Sequence, residues 1–528
     1  MNWGRVKKGL LLSSISGVLL VLSTAGIGWY PLAWIAIIPL LIAIKSARNT
    51  KSAFLIGYLS GSIHFLGTAY WIALLYPYAN TGWFVSDVAA TTILYLLLSL
   101  YLAVYSAVFA VVLRRLTWSV LPMIFVSATI WTACEWIASW LLTGFPWGSL
   151  GYTQWKNLPV IQISSIFGIH GVSFVIVLFN ATGAELIHAR TSWRVQIKYA
   201  TVPLIIILMV FVFGVLVMRP VEFSDVSKIK IGIIPGNIRQ IDKWQNKNFD
   251  AIFRKYLNLI KEVSDKHSDL SFITLAETAI PQAIFYNQEN MYQKVLKQLL
   301  RDQQLNLLAG TPNYLEGKAY NSVFLLNSKG DQAGVYSKMH LVPFGEYTPI
   351  ASFFPDLIQE SGWEAGKSYD TFPIPSTLGL EMGVAICYES SFPNLVRRFV
   401  KKGAVIIGVL TNDAWFEGTA APTQHLSMAP FRAVENRVSV FRCANGGISC
   451  IIDKFGRVGK EQILPEDQDG FLIGSIALKH QKKETIYTLY GDWFPIACFV
   501  ISLGLIGFLL LLQFGIINNY GSGRERSN

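Results

Sequence analysis

Charge is what this chain has least of. Only 15% of its 528 residues are Asp, Glu, Lys or Arg, 52% are hydrophobic, and the mean hydropathy is +0.42. A soluble chain carries about a quarter charged residues, so a wholly water-exposed globule is excluded. Cysteine is scarce too: Cys134, Cys387, Cys443, Cys450 and Cys498 are all there are. They form no CxxC pair and no zinc spacing, and the chain has no Gly-rich phosphate loop and no internal repeat. Nothing therefore calls for a metal or a nucleotide. Cys134 and Cys498 fall in apolar runs and read as small apolar side chains. Cys443 and Cys450 are candidates to pair in an oxidising compartment, but the strand-like run between them argues against it.

Long apolar runs are abundant. They lie at Leu10 to Gly26, Trp29 to Ile44, Phe54 to Leu75, Val88 to Leu113, Leu121 to Leu142, Ile161 to Ile187, Tyr199 to Met218 and Trp493 to Ile517. Most approach or exceed the roughly 18 to 20 residues that span a bilayer. Eight membrane helices are expected, with a polar block of about 270 residues between the seventh and the eighth. Arg5, Lys7 and Lys8 before the first run resemble a signal peptide. The second run follows at once, so the first is expected to stay as a helix.

The net charge of +11 is not a nucleic-acid footprint. Outside the polar block there are 15 Lys and Arg against 5 Asp and Glu, and the block itself is nearly neutral. The basic clusters are Arg5, Lys7 and Lys8; Lys45, Arg48 and Lys51; Arg114 and Arg115; Arg190, Arg194 and Lys198; and Arg524 and Arg526. Threading eight helices alternately puts every cluster on one side, with Lys156 and Arg219 as exceptions. The positive-inside rule then makes both termini cytoplasmic and sends the polar block to the far side. The expected parts are 1–219 as a seven-helix membrane domain, 220–490 as an extracytoplasmic domain, and 491–528 as the eighth helix and tail.

The polar block alternates two periodicities. Lys228 to Ile234, Ser271 to Ala276, Leu305 to Ala309, Ser322 to Asn327, Val335 to Ser337, Met382 to Cys387, Ala404 to Leu410 and Gly447 to Asp453 read as strands. Phe249, Ile252, Phe253, Tyr256, Ile260 and Val263 form one helical stripe, and Val295 to Leu300 and Pro393 to Val400 are helical. Such alternation predicts a layered α/β domain with helices covering sheet faces.

Three motifs carry chemistry. Glu277 follows a buried strand in Leu275-Ala276-Glu277-Thr278. Lys338 lies in Tyr336-Ser337-Lys338-Met339-His340-Leu341-Val342-Pro343-Phe344-Gly345-Glu346-Tyr347. Cys387 ends the apolar run Val384-Ala385-Ile386-Cys387-Tyr388-Glu389. A thiol, free pKa about 8.5, needs a base or a nearby cation to become a nucleophile. A carboxylate raised by burial supplies the base, and an ammonium steadies the thiolate and the oxyanion that follows. The backbone N–H of Tyr388 is a natural second oxyanion donor.

In this order and at these strand ends, Glu277, Lys338 and Cys387 resemble the Glu-Lys-Cys triad of the nitrilase superfamily. Leu410-Thr411-Asn412-Asp413-Ala414-Trp415-Phe416, Gln424-His425, Arg432-Ala433-Val434-Glu435-Asn436 and Leu142-Thr143-Gly144-Phe145-Pro146-Trp147 sharpen the match. With the membrane helices in front, nearly the whole chain resembles the apolipoprotein N-acyltransferase family. Two departures stand out: Leu275-Ala276 where a Trp-containing pair is usual, and Pro235-Gly236-Asn237 where Gln-Gly-Asn is commoner. Both alter the lining of a pocket more than its chemistry.

The resemblance implies a membrane-bound nitrilase-like αββα sandwich and no cofactor. It implies transfer of a fatty acyl chain from a membrane phospholipid, through a Cys387 thioester, to the α-amine of a lipoprotein's diacylglyceryl-cysteine. The implied donor is phosphatidylethanolamine, the implied place the bacterial inner membrane with a periplasmic catalytic domain, and a monomer is expected. Glu346 and Glu389 would position Lys338 and Cys387, with a structural salt bridge as the plain alternative. Trp244 either gates acyl-chain entry or caps a loop. His340 and His425 read as packing or hydrogen-bonding residues. Glu135, a carboxylate inside a membrane helix, is expected to hold helices together, with lipid handling as the alternative. The aromatics Phe145, Trp147, Tyr152 and Trp155 read as interface anchors.

Two rival classes remain open on the residues alone. A membrane-tethered nitrilase-type amidohydrolase shares the triad and differs only in letting water take the acyl group. A transporter or receptor would need paired intramembrane charges or matched broken helices, and chiefly Glu135 is found.

Overall fold

The computed structural model describes residues 3–78, 84–116, 120–188, 193–219, 227–285, 289–349, 362–466, 468–478 and 484–513. Arg190, Pro220, Arg524, Arg526 and the expected end of the last apolar run at Ile517 lie outside these.

The apolar runs become helices. Among the described residues six are long and apolar enough to cross a membrane: Val6–Ser23, Phe84–Arg115, Val120–Ala138, Ile169–His188, Gln196–Val217 and Trp493–Leu511. Their outward faces stay apolar, with Leu204, Leu208, Met209, Val500 and Leu503 all exposed. In water such a continuous surface would drive association. In a bilayer it matches its solvent.

The other two expected crossings are built differently. The run beginning at Trp29 is not one helix. It divides into a 3-10 turn at Tyr30–Leu32, a single turn at Ala33–Ala36 and a helix at Ile38–Ser46, because Pro31 and Pro39 interrupt the hydrogen-bond ladder. Backbone groups freed at this depth need partners. Asn180 provides them: its Oδ1 accepts from the N–H of Ile37 (2.8 Å) and Ile38 (3.2 Å), and its Nδ2 donates to Ala33 O at 3.0 Å. The third run is helical only over Thr50–Thr68, then continues as 3-10 turns from Tyr70 to Tyr78. Its Ser, His and Gly content keeps it below the apolarity of the other six. Gly57 and Gly61 let it lie directly on the Phe84–Arg115 helix. A Cβ on Gly57 would sit 2.4 Å from Ser106 O, and one on Gly61 2.9 Å from Ala103 Cα.

The polar block folds as two six-stranded sheets. The strands are β1 Lys228–Ile234, β2 Phe272–Leu275, β3 Leu307–Leu315, β4 Lys318–Leu326, β5 Gln332–Ser337, β6 Phe372–Pro373, β7 Glu381–Ile386, β8 Ala404–Asn412, β9 Ser439–Asn445, β10 Ser449–Ile452, β11 Val458–Leu464 and β12 Leu472–Ala477. The first sheet runs β12-β1-β2-β3-β4-β5 and the second β11-β10-β9-β8-β7-β6. Each has three parallel strands at its centre and antiparallel strands at its edges.

The two sheets pack face to face through Ile231, Phe272 and Leu308 on one side and Val384, Val409 and Phe441 on the other. The Phe272 and Phe441 rings are 5.7 Å apart across this seam. The amphipathic helices Phe249–Lys266 and Met291–Asp302 cover the outer face of the first sheet through Phe253, Ile260, Leu296 and Leu300. Helices Pro393–Lys401 and Ala429–Asn436 cover the second. The expected α/β layering is thus an αββα sandwich.

The sandwich is joined to the helices by buried polar contacts. Gln424 Oε1 accepts from the indoles of Trp147 (2.8 Å) and Trp71 (3.2 Å), and its Nε2 donates to Thr68 O. The fully buried Arg432 pairs with Glu435, whose other contact is the N–H of Ile169 at 3.2 Å.

Replacing Asn180 with Ala removes the side-chain partner of two N–H groups and a carbonyl in an apolar setting, leaving the Ile37 N–H only its bond to Ile35 O. We expect a loss of about 1–3 kcal/mol, read as a lower thermal midpoint in detergent; an unchanged midpoint would contradict the role given to Asn180.

Candidate active site

The carboxyl ends of parallel strands collect functional groups in open sheets, and two of them do so here, joined by a third strand end. Glu277 lies two residues past β2 and Cys387 directly past β7, while Lys338 directly follows the antiparallel β5. Both turns that present the acid and the thiol are strained. Cys387 has φ +52° and Thr278 φ +43°, conformations that cost a non-glycine residue on the order of 1 kcal/mol and persist only where the surroundings fix them. The Cys387 carbonyl accepts from Ser390 Oγ at 2.9 Å and lies 3.2 Å from His425 Nε2. Gly310 on β3 lets the acid's main chain come close: a Cβ there would sit 2.4 Å from Ala276 O and 2.8 Å from Glu277 Cα.

The three side chains lie within electrostatic reach of one another. Lys338 is fully buried, and its Nζ donates to Glu346 Oε1 at 2.7 Å and lies 3.5 Å from Glu277 Oε1. Burial alone would lower its pKa, but the carboxylates of Glu346 and Glu277 and the Cys387 thiol outweigh it and hold the ammonium well above its ordinary value. Burial and the Glu277 charge push the Cys387 thiol up, and Lys338 pulls it down. At rest the thiol keeps its proton and the lysine its charge. Glu277 is held beside the lysine. Its Oε1 accepts from Asn321 Nδ2 (2.7 Å) and its Oε2 from the Asn412 N–H (2.8 Å).

Glu346 and Glu389 are placed differently from one another. Glu346 reaches Lys338 directly and closes its own loop by accepting from the Val342 N–H at 2.8 Å. Glu389 works on the main chain. It accepts from Ile386 N–H (2.7 Å) at the end of β7, and from Met339 N–H (2.7 Å), His340 N–H (3.1 Å) and the Tyr336 hydroxyl (2.8 Å) after β5. It therefore clamps the Cys387 turn to the Lys338 segment. Burial pushes its carboxyl up to about 7 despite those donors. Tyr388 donates its hydroxyl to Gly144 O at 3.0 Å and stacks on Trp147. Trp244 is half exposed, its ring edge-on to that of Trp363 at 6.3 Å. His340 packs on Phe392, its ring 3.8 Å away.

Several groups here have no signal in the sequence. Asn321 and the main chain of Asn412 hold the acid, and Lys243 Nζ donates to the Glu277 carbonyl at 2.9 Å. His425, expected as a packing or hydrogen-bonding residue, sits between Ser390 Oγ (2.9 Å) and Asp413 Oδ1 (3.0 Å), with Asp413 paired to buried Arg442. The polar pair at the end of β8, Asn412 and Asp413, and the pair Gln424-His425 are the sequence's hints at this.

The aromatic loop corrects one expectation. Trp147 and Tyr152 are buried. Trp147 is not an interface anchor but stacks on Tyr388 and His425, under the catalytic half. An aromatic cluster beside a helix end carries the same sequence pattern whether it meets lipid headgroups or a folded partner. Glu135 accepts from the Leu150 N–H at 2.5 Å and lies 3.6 Å from His170 Nδ1, so it ties its helix to this loop and to the Ile169–His188 helix. Cys443 and Cys450 are both free thiols.

Comparison with known proteins gives a consistent result over the whole chain. The family described as the apolipoprotein N-acyltransferase N-terminal domain matches residues 16–182, and carbon-nitrogen hydrolase matches residues 237–482. The chain is similar to the apolipoprotein N-acyltransferase of Geobacter metallireducens, 35% identical over 93% of each chain. It is also similar to that of Rickettsia prowazekii, 30% identical over 89% of this chain and 92% of the relative. Apolipoprotein N-acyltransferase 1 of Treponema denticola is 29% identical over 96% and 97%.

Glu389→Ala strips the acceptor from three backbone N–H groups and a tyrosine hydroxyl. We expect destabilisation by about 1–3 kcal/mol and slower alkylation of Cys387, measured by thermal unfolding and iodoacetamide labelling. Glu389→Gln, which keeps one acceptor oxygen, recovers part of both; equal behaviour of the two variants would contradict the clamp.

Proposed function

The chain belongs to the apolipoprotein N-acyltransferase family, and on that premise we propose that Cys387, Lys338 and Glu277 carry a two-step acyl transfer between two lipids. The observation that carries this reading is the buried Lys338 ammonium held between Glu346 and Glu277 beside the Cys387 thiol. In the first step Glu277 takes the thiol proton and the sulfur attacks an ester carbonyl of a membrane phospholipid. Lys338 and the Tyr388 N–H steady the oxyanion; losing one such donor typically slows a reaction about 10²–10³-fold. The C–O bond breaks, Glu277 returns the proton to the departing lysophospholipid hydroxyl, and the acyl chain stays on sulfur as a thioester.

In the second step the α-amine of a diacylglyceryl-cysteine at a lipoprotein N-terminus attacks the thioester. Glu277 removes the amine proton and passes it to the Cys387 sulfur as the C–S bond breaks, and an amide forms. A thioester lies above an amide in free energy, so the exchange runs without ATP. Phosphatidylethanolamine is the donor in this reading, and the enzyme acts as a monomer.

The membrane half serves the same chemistry. Moving an acyl chain from lipid to water costs about 0.8 kcal/mol per CH₂, which a site at the bilayer surface avoids. The contacts of Trp147 with Gln424 and Tyr388 of the sandwich support such placement. We read 1–219 and 491–528 as the membrane parts and 220–490 as a catalytic domain on the periplasmic side of the inner membrane, with both termini cytoplasmic. Trp244, at the edge of the site, gates the entering chain.

Purified protein mixed with phosphatidylethanolamine vesicles is expected to gain the mass of one fatty acyl group on Cys387, labile to hydroxylamine. Cys387→Ala gains none, and Glu277→Gln gains it about 10²–10⁴ times more slowly. Acylation elsewhere, or at the same rate in Glu277→Gln, would overturn the assignment.

A further inference from the structure

One buried charge near the site has no part in the steps above. Lys243 closes the short helix Gln240–Lys243, in a loop whose neighbours Ile241 and Trp244 are exposed, yet it is itself only 2% exposed. Its Nζ donates to the main-chain carbonyl of Glu277 at 2.9 Å. Gln240, three residues earlier, accepts from Asn412 Nδ2 at 2.7 Å, and the N–H of that same Asn412 donates to the Glu277 carboxylate. Segment 240–243 thus grips both ends of the acid: its main chain through Lys243, its carboxylate through Gln240 and Asn412.

The charge count gives Lys243 a second task. The groups that face one another here are Glu277 past the end of β2, Lys338 from the end of β5, Glu346 from the loop beyond it, and Cys387 and Glu389 from the end of β7. Asp413, directly past β8, is paired with Arg442 and also bonded to His425. With Glu389, pushed up to about 7 by burial, in its protonated form, two carboxylates against one ammonium leave the buried site with one excess negative charge before the thiol ionises. A thiolate would add a second, and desolvated charges of like sign strongly oppose one another. With Lys243 the resting site is balanced. Burying an ammonium solely to bond one neutral carbonyl would be a costly arrangement.

We propose that Lys243 is a positioning residue of the transfer site, fixing the strained Glu277 turn and supplying the second positive charge against which Cys387 ionises. Burial lowers the lysine to about 8, and the charges of Glu277 and Cys387 pull the other way. That pull is mutual: a thiolate that favours the ammonium is favoured by it. The neighbouring Trp244 shares the segment, so any displacement of that indole on acyl entry is felt at the acid.

The inference deepens the proposed reaction and rests on Cys387 as its nucleophile, but its test needs no lipid. Full-length protein in detergent is alkylated with iodoacetamide across a pH series, and Cys387 is followed by peptide mass mapping. In Lys243→Met labelling is about tenfold slower than in the wild type below about pH 8, where Lys243 carries its proton, and the two rates converge above it. Lys243→Arg, which restores the charge, returns the low-pH rate towards wild type. An unchanged low-pH rate in Lys243→Met would overturn the proposal. So would a loss of the same factor at every pH, the signature of damaged structure. Acylation of Cys387 by phosphatidylethanolamine is scored separately, so a failure of the donor assignment stays distinct from a failure at Lys243.

Discussion

The ammonium of Lys338 is the point on which the site turns. It is fully buried, bonded to Glu346 and near Glu277. Burial alone would lower the lysine's pKa; the two carboxylates outweigh it and the ammonium keeps its charge. The thiol stands on the border of this cluster, raised by burial and by Glu277 and lowered by Lys338.

The scaffold keeps that cluster dry and fixed. Glu389 bonds the backbone on both sides of the gap between β5 and β7, and Gly310 leaves room for the acid's turn. From below, Trp147 stacks on Tyr388 and His425, so the loop after Val120–Ala138 is part of the same packed unit as the nucleophile turn. The helices therefore do more than anchor the domain. They form one wall of its chemistry, and their apolar outer faces hold that wall at the lipid boundary.

Much of this was legible in the sequence where burial and periodicity agree. β1 coincides with the expected Lys228 to Ile234, because a buried central strand must be apolar along its length. Glu277, Lys338 and Cys387 stood out because each polar or reactive residue ended an apolar run. What was missed depends on tertiary contact. Lys243 lies in a polar loop and reads as a solvated lysine; only the fold encloses it. β11, with Lys460 and Glu461 exposed, lacks the apolar alternation that marks a strand. The Trp29 to Ile44 run has the composition of a membrane helix, yet its prolines break it and Asn180, far along the chain, repairs it.

The most direct test of the central claim follows the acyl group out of the site. Cys387 is charged with a radiolabelled fatty acyl chain, freed of excess lipid, and offered a diacylglyceryl lipopeptide in buffer. The account predicts that nearly all label moves to the peptide amine as an amide, with little free fatty acid, and that blocking the α-amine stops the transfer. Label released mainly to water at the same rate with or without the amine would contradict it.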